Sequence, residues 1–86
     1  MKKITMFYMK ECPHCRKAQQ IIDELKASNP DYAALEIEKI EENEHPEIAG
    51  EYDYFYVPTF FVDGNKLFEG KPTEAAIASV LQAALS

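Results

Sequence analysis

The stretch Lys3-Ile4-Thr5-Met6-Phe7-Tyr8-Met9-Lys10-Glu11-Cys12-Pro13-His14-Cys15 runs from a strand into a helix, with two cysteines at the junction. Lys3 to Met9 is nearly all apolar or β-branched, which suits a strand buried on both faces. Pro13 stands where a first helical turn begins, a position where its missing N–H costs nothing. Behind it Ala18, Ile21, Ile22 and Leu25 recur at the spacing of one apolar helix face. Asn29-Pro30 ends that helix.

The remaining elements follow from the same signals. Ala34 to Ile40 reads as a second strand at a sheet edge, with Leu35 and Ile37 on one face and acids on the other. Pro46 begins a short helix that uses Ile48, Ala49 and Tyr52. Val57 to Val62 is a strand, Asp63-Gly64 a tight hairpin turn, Lys66 to Glu69 the returning strand, and Gly70 closes it. Pro72-Thr73 opens a last helix with Ala76, Ile77, Val80, Leu81 and Ala84 inward. The expected order is βαβαββα. An opening βαβ unit implies parallel strands with a right-handed crossover, and the closing hairpin adds antiparallel ones. The fold class is therefore α/β, a mixed four-stranded sheet with three flanking helices.

The chain of 86 residues is one domain, residues 1–86, and its 47% hydrophobic content is that of a globular protein. A net charge of −6 argues against nucleic acid as a partner. The charge is uneven: residues 1–17 hold Lys2, Lys3, Lys10, Arg16 and Lys17 against Glu11 alone. The acidic stretch Glu36 to Glu47 reads as a solvated face. No apolar run is long enough to span a membrane, and the start lacks a secretory apolar segment, so the expectation is a cytoplasmic monomer with no membrane partner.

Two cysteines this close would form a loop too small to constrain the unfolded chain much, so chemistry explains them better than stability. A C-x-x-C pair between a strand and a helix reads as a redox motif. Cys12 falls at the helix N-terminus, where free N–H groups and the helix dipole favour an anion. Cys15 lies three residues on, within reach of Cys12 and on the inward face. The expectation is an exposed Cys12 that attacks and a buried Cys15 that resolves. Pro13, His14 and Lys10 are the candidates for favouring the Cys12 thiolate, with Arg16 and Lys17 near; His14 reads equally as an ordinary exposed helix residue. Structural zinc needs four ligands and there is no second C-x-x-C, so no metal is expected and no cofactor is required for the chemistry.

Tyr54 to Val62 is apolar throughout with Pro58 inside it, which suits the very start of a strand. Pro58 reads as an ordinary turn proline, or as a cis proline facing the cysteines that leaves the Val57 backbone to pair with a bound peptide. Together, Cys12-Pro13-x-Cys15 and Val57-Pro58-Thr59 resemble the thioredoxin superfamily over nearly the whole chain. The length, the first strand and Lys10 resemble glutaredoxins. His45-Pro46 through Ala49 and Tyr52, then Gly64 and Gly70, are closer to thioredoxins. The Pro-His dipeptide is similar to that of the strongly oxidising DsbA enzymes.

The resemblance implies a cis Val57–Pro58 bond beside Cys12, Cys15 as resolving thiol, and dithiol–disulfide exchange on protein or low-molecular-weight disulfides. It implies glutathione or a thioredoxin-reductase-like flavoprotein as reductant. The alternatives are a thioredoxin-like electron carrier that does not use glutathione, and a metal or iron–sulfur carrier. Where glutaredoxins hold glutathione with a Gly-Gly-x-Asp-like segment, this chain has Gly70-Lys71-Pro72-Thr73, leaving the Thr73 and Glu74 N–H groups for a carboxylate. Tyr56 stands where thioredoxins keep a glycine, so its ring would shape the substrate groove. Tyr52, Tyr54 and Phe55 read as packing residues. A favoured Cys12 thiolate implies a reduction potential above that of thioredoxins.

Overall fold

Alternation along the first strand decides how the sheet is covered. In a computed structural model describing residues 1–86, β1 (Ile4–Tyr8) sends Ile4 and Met6 to one face and Phe7 to the other. The other elements are α1 (Pro13–Ser28), α2 (Pro30–Ala33), β2 (Ile37–Glu41), α3 (Pro46–Ala49), β3 (Thr59–Val62), β4 (Asn65–Glu69) and α4 (Glu74–Leu85). The sheet order is β2-β1-β3-β4, with β1 parallel to β2 and antiparallel to β3, and β3 antiparallel to β4. The mixed four-stranded sheet and the edge position of β2 are as expected.

Ile4 and Met6 meet Ala18, Ile21 and Ile22 of α1 and Ile77, Val80, Leu81 and Ala84 of α4 in the larger core cluster, with Phe60 and Val62 of β3. The opposite face carries a smaller cluster of Phe7, Ile40 and Phe61, covered by Ile48, Ala49, Tyr52, Tyr54 and Val57. The Phe7 ring sits 4.7 Å from that of Tyr52, 5.0 Å from Tyr54 and 5.8 Å from Phe61, spacings typical of favourable aromatic pairs. Asp63 and Gly64 have φ of 50° and 82°, the pair of positive values that a two-residue hairpin turn needs. Asp63 Oδ1 also accepts the Lys3 N–H at 3.1 Å, tying the hairpin to the start of β1.

Four expectations need correction. β3 begins at Thr59 and not at Val57, and Pro58 ahead of it has no N–H to give a ladder. Asn29-Pro30 stops α1 but also starts α2: the Asn29 N–H bonds the Leu25 carbonyl at 3.0 Å while its Oδ1 accepts the Asp31 N–H at 2.9 Å. One asparagine serves as C-cap and N-cap, so the order is βααβαββα with four helices. β2 begins at Ile37 and not at Ala34, because Leu35 is buried ahead of the strand with its carbonyl taken by Lys26 Nζ at 2.7 Å. The acidic stretch is not wholly solvated: Glu41 is buried and accepts backbone N–H groups from Lys10 and Glu44 at 3.1 and 3.3 Å, and another from Asn43. No helix is long and apolar enough to cross a membrane.

Phe7 is fully buried and holds the smaller cluster together. Phe7→Ala should cost about 3–5 kcal/mol through lost contacts and an unfilled cavity. The check is a urea midpoint that drops with an unchanged slope. A loss below about 1 kcal/mol would show that this face contributes no core.

Candidate active site

β1 ends at Tyr8 and the chain turns into α1 at Cys12, whose backbone is extended (φ −130°, ψ 108°) in the manner of an N-cap residue. Pro13 is the first helical residue and offers no N–H. The next inward-facing donor, the Cys15 N–H, bonds Cys12 Sγ at 3.1 Å. The sulfur thus fills the place that a Ser or Asp oxygen takes at most helix starts. Both cysteines are free thiols.

Cys15 is buried as expected, at 4% exposure, but Cys12 is also buried, at 7%. The expectation of an exposed Cys12 is corrected by the segment packed over it. The Val57–Pro58 peptide bond is cis, and the Val57 carbonyl oxygen lies 4.0 Å from Cys12 Sγ. Pro58 is buried, and its carbonyl accepts the Gly70 N–H at 3.0 Å, where Gly70 has φ +98°. Burial pushes the Cys15 thiol up to about 12, helped by its hydrogen bond to Cys12 and by the charges of Cys12 and Glu42. Cys15 therefore keeps its proton at neutral pH. Pro13 and His14 are exposed at the helix start.

Two carboxylates hold the loops that meet here. Glu41, through its bond to the Lys10 N–H, fixes the segment leading into Cys12. Burial pushes its carboxyl up, but the N–H groups of Asn43, Lys10 and Glu44 outweigh this and hold it below the usual range. On the other side Glu69 Oε2 accepts the N–H groups of Phe55 and Tyr56 at 2.8 and 3.1 Å, and Oε1 meets Lys66 Nζ at 2.7 Å. The Lys66 ammonium and then these two N–H groups lower the Glu69 carboxyl to about 2. The Thr59 hydroxyl donates to the Tyr56 carbonyl, completing the anchor of the segment before Pro58.

These contacts redistribute the expected roles. The Lys10 ammonium is paired with the Glu44 carboxylate, so its charge is not left over for Cys12. The Tyr56 ring is 67% exposed beside Val57. Tyr52 and Tyr54 pack on Phe7 and Phe61, but Phe55 is 82% exposed and is not a packing residue; its backbone is held by Glu69 while its ring stands in solvent. Thr73 is the N-cap of α4, its hydroxyl taken by the Ala76 N–H at 3.1 Å. Sequence reasoning missed Glu41, Glu42 and Glu69. Glu42 accepts the Tyr54 hydroxyl at 2.7 Å and adds negative charge near Cys15. Glu41 and Glu42 lie in a run of acids and Glu69 beside Gly70 and Lys71, so only their partners in the fold single them out. No three His, Cys, Asp or Glu side chains come together as a metal site.

Comparison with known proteins agrees with this geometry. A family profile described as the thioredoxin domain matches residues 2–82. A thioredoxin of Methanocaldococcus jannaschii is 36% identical over 80 residues, covering 93% of this chain and 92% of that protein. Among solved structures, mitochondrial thioredoxin 3 of Saccharomyces cerevisiae in its oxidised form superposes with a TM-score of 0.73 at 24% identity, covering 95% of this chain and 77% of that one. Reduced desulfothioredoxin of Desulfovibrio vulgaris Hildenborough gives 0.69 at 23% identity over 95% of this chain and 80% of its own. At such identities these two likenesses speak for the fold alone.

Because the folded-state Glu69 carboxyl lies near 2 and an unfolded one near about 4.3, the stability it contributes is present above about pH 4.3 and is lost as pH falls towards 2. Glu69→Gln should therefore lower the urea midpoint at pH 7 and converge on the unmodified protein near pH 2. An equal loss at every pH would show that the carboxylate's charge is not what anchors Phe55 and Tyr56.

Proposed function

The chain belongs to the thioredoxin-domain family, and from that premise we propose that it is a thiol–disulfide oxidoreductase with Cys12 as nucleophile and Cys15 as resolving thiol. The observation that carries this reading is a free Cys12 Sγ bonded by the Cys15 N–H and placed against the Val57 carbonyl. A thiolate accepts that N–H more strongly than a thiol does, and the helix end adds to the effect.

In the first step the Cys12 thiolate attacks one sulfur of a substrate disulfide. The substrate S–S bond breaks, one thiolate leaves and takes a proton, and a mixed disulfide forms on Cys12. Cys15 then loses its proton and attacks Cys12 Sγ. The mixed disulfide breaks, the second substrate thiol departs, and Cys12 and Cys15 are joined. The substrate gains two electrons and the protein loses two. Glutathione or a flavin-dependent reductase returns them.

Val57 and Pro58 form the wall that a substrate chain would run along, its strand pairing with the Val57 backbone. Tyr56 presents its ring at that wall, and Phe55 extends the apolar surface. Contact with Thr73 falls to its backbone, since its hydroxyl caps α4. Turnover coupled to glutathione against turnover coupled to thioredoxin reductase separates the two reductants.

Cys12→Ser should reduce disulfide turnover to background. Cys15→Ser should keep the first step and accumulate a mixed disulfide on Cys12, visible as added mass. In the unmodified protein the attacking form of Cys15 is its thiolate, so resolution should become faster as pH rises. Persistent turnover by Cys12→Ser, or no trapped adduct in Cys15→Ser, would contradict the assignment.

A further inference from the structure

A second concavity borders Cys15, and neither Val57 nor Pro58 lines it. It has a volume of about 160 Å³ and lies between α1 and the β1–β2 edge, lined among others by Tyr8, Lys10, Cys15, Arg16, Gln19 and Lys39. The volume is that of about five water molecules. Three of its lining side chains are cations and none is an acid, in a chain with fifteen acids and nine bases. Lys10 is paired with Glu44, but neither Arg16 nor Lys39 makes an ion pair. Lys39 Nζ is held 5.0 Å from the centre of the Tyr8 ring.

Gln19 adds a feature that cations alone lack. Its Nε2 donates to Asp23 Oδ1 at 2.9 Å, and its Oε1 is buried with no hydrogen-bond partner. Asp23 can only accept, so the amide cannot reverse to hide that oxygen. A buried acceptor without a donor is costly, and it marks a place where a donor belongs. Gln19 lies four positions after Cys15 and three after Arg16 on α1, and Lys39 of β2 lines the same pocket.

We propose that this pocket binds the α-amino-carboxylate end of a small disulfide or thiol. The carboxylate meets Arg16 and Lys39, and the ammonium group donates to Gln19 Oε1. Anchored there, the ligand's sulfur is held next to Cys15, whose N–H lies 3.1 Å from Cys12 Sγ. This rests on the exchange reading and narrows it to amino-acid-type disulfides among low-molecular-weight substrates. The exchange itself remains the one described above, with the substrate disulfide reduced and the cysteine pair oxidised.

Two measurements test the proposal. S-methylcysteine, which has the amino-carboxylate but no exchangeable sulfur, should shift the Gln19 side-chain amide resonances saturably in the reduced protein. S-methylcysteamine, lacking the carboxylate, should not, and Arg16→Gln and Lys39→Gln should weaken the S-methylcysteine response about tenfold each, the scale of one charge-assisted hydrogen bond. In turnover, the ratio of kcat/KM for cystine to that for cystamine should fall by a similar factor in each variant. In Gln19→Leu cystine should lose its advantage over 3,3′-dithiodipropionate, which has carboxylates but no ammonium. Equal shifts from both probes, or a cystine-to-cystamine ratio within about twofold of the unmodified protein in both charge variants, overturns the pocket assignment. Saturable S-methylcysteine binding without turnover of either disulfide supports the pocket and refutes the exchange reading, so the two failures are distinct.

Discussion

A helix must satisfy the N–H groups of its first turn, and in α1 the acceptor is the Cys12 sulfur. The bond from the Cys15 N–H to Cys12 Sγ serves the helix as a cap and the sulfur as a stabiliser of negative charge. Much else follows from it. Pro13 can open the helix because it brings no N–H to satisfy, and Cys15 faces inward because it lies one turn from the cap. The same turn that exposes the helix end to Cys12 buries Cys15 and keeps its proton on. A sulfur in a disulfide is a weaker hydrogen-bond acceptor than a free one, so the cap favours the dithiol.

The sulfur is useful only if the two loops around it stay in place, and each is held by a carboxylate. Glu41 gathers the N–H groups of Lys10, Asn43 and Glu44 at the end of β2, and Glu69 gathers those of Phe55 and Tyr56 at the end of β4. Both strands lie at the outer edges of the sheet, while β1 and β3 in its centre carry the core. The edges thus fix the loops and the centre fixes the edges. Acidic residues are abundant in this chain, and these two anchor backbone where most others meet water.

Much of this could be read from the residues because it is local. The 3.6-residue spacing of Ala18, Ile21, Ile22 and Leu25, the Asp63-Gly64 turn and the position of Pro13 each depend on neighbours in sequence. Pro58 became informative only together with the cysteines, through a family resemblance. What stayed hidden depends on distant partners. Glu41 and Glu69 look like any acid until the N–H groups they face are known, and the burial of Cys12 depends on Val57, forty-five positions away. Asn29 hid a second helix because one residue capped two ends. Lys10 promised charge for Cys12, but Glu44, close only in the fold, takes it.

The most direct test of the capping account is a redox titration of Cys12 and Cys15 in glutathione buffers at pH 7. The account predicts a single two-electron dithiol–disulfide couple with a potential above the value of about −270 mV for thioredoxin, because the cap favours the reduced form. A couple at or below that value, or a pair that does not titrate, contradicts it.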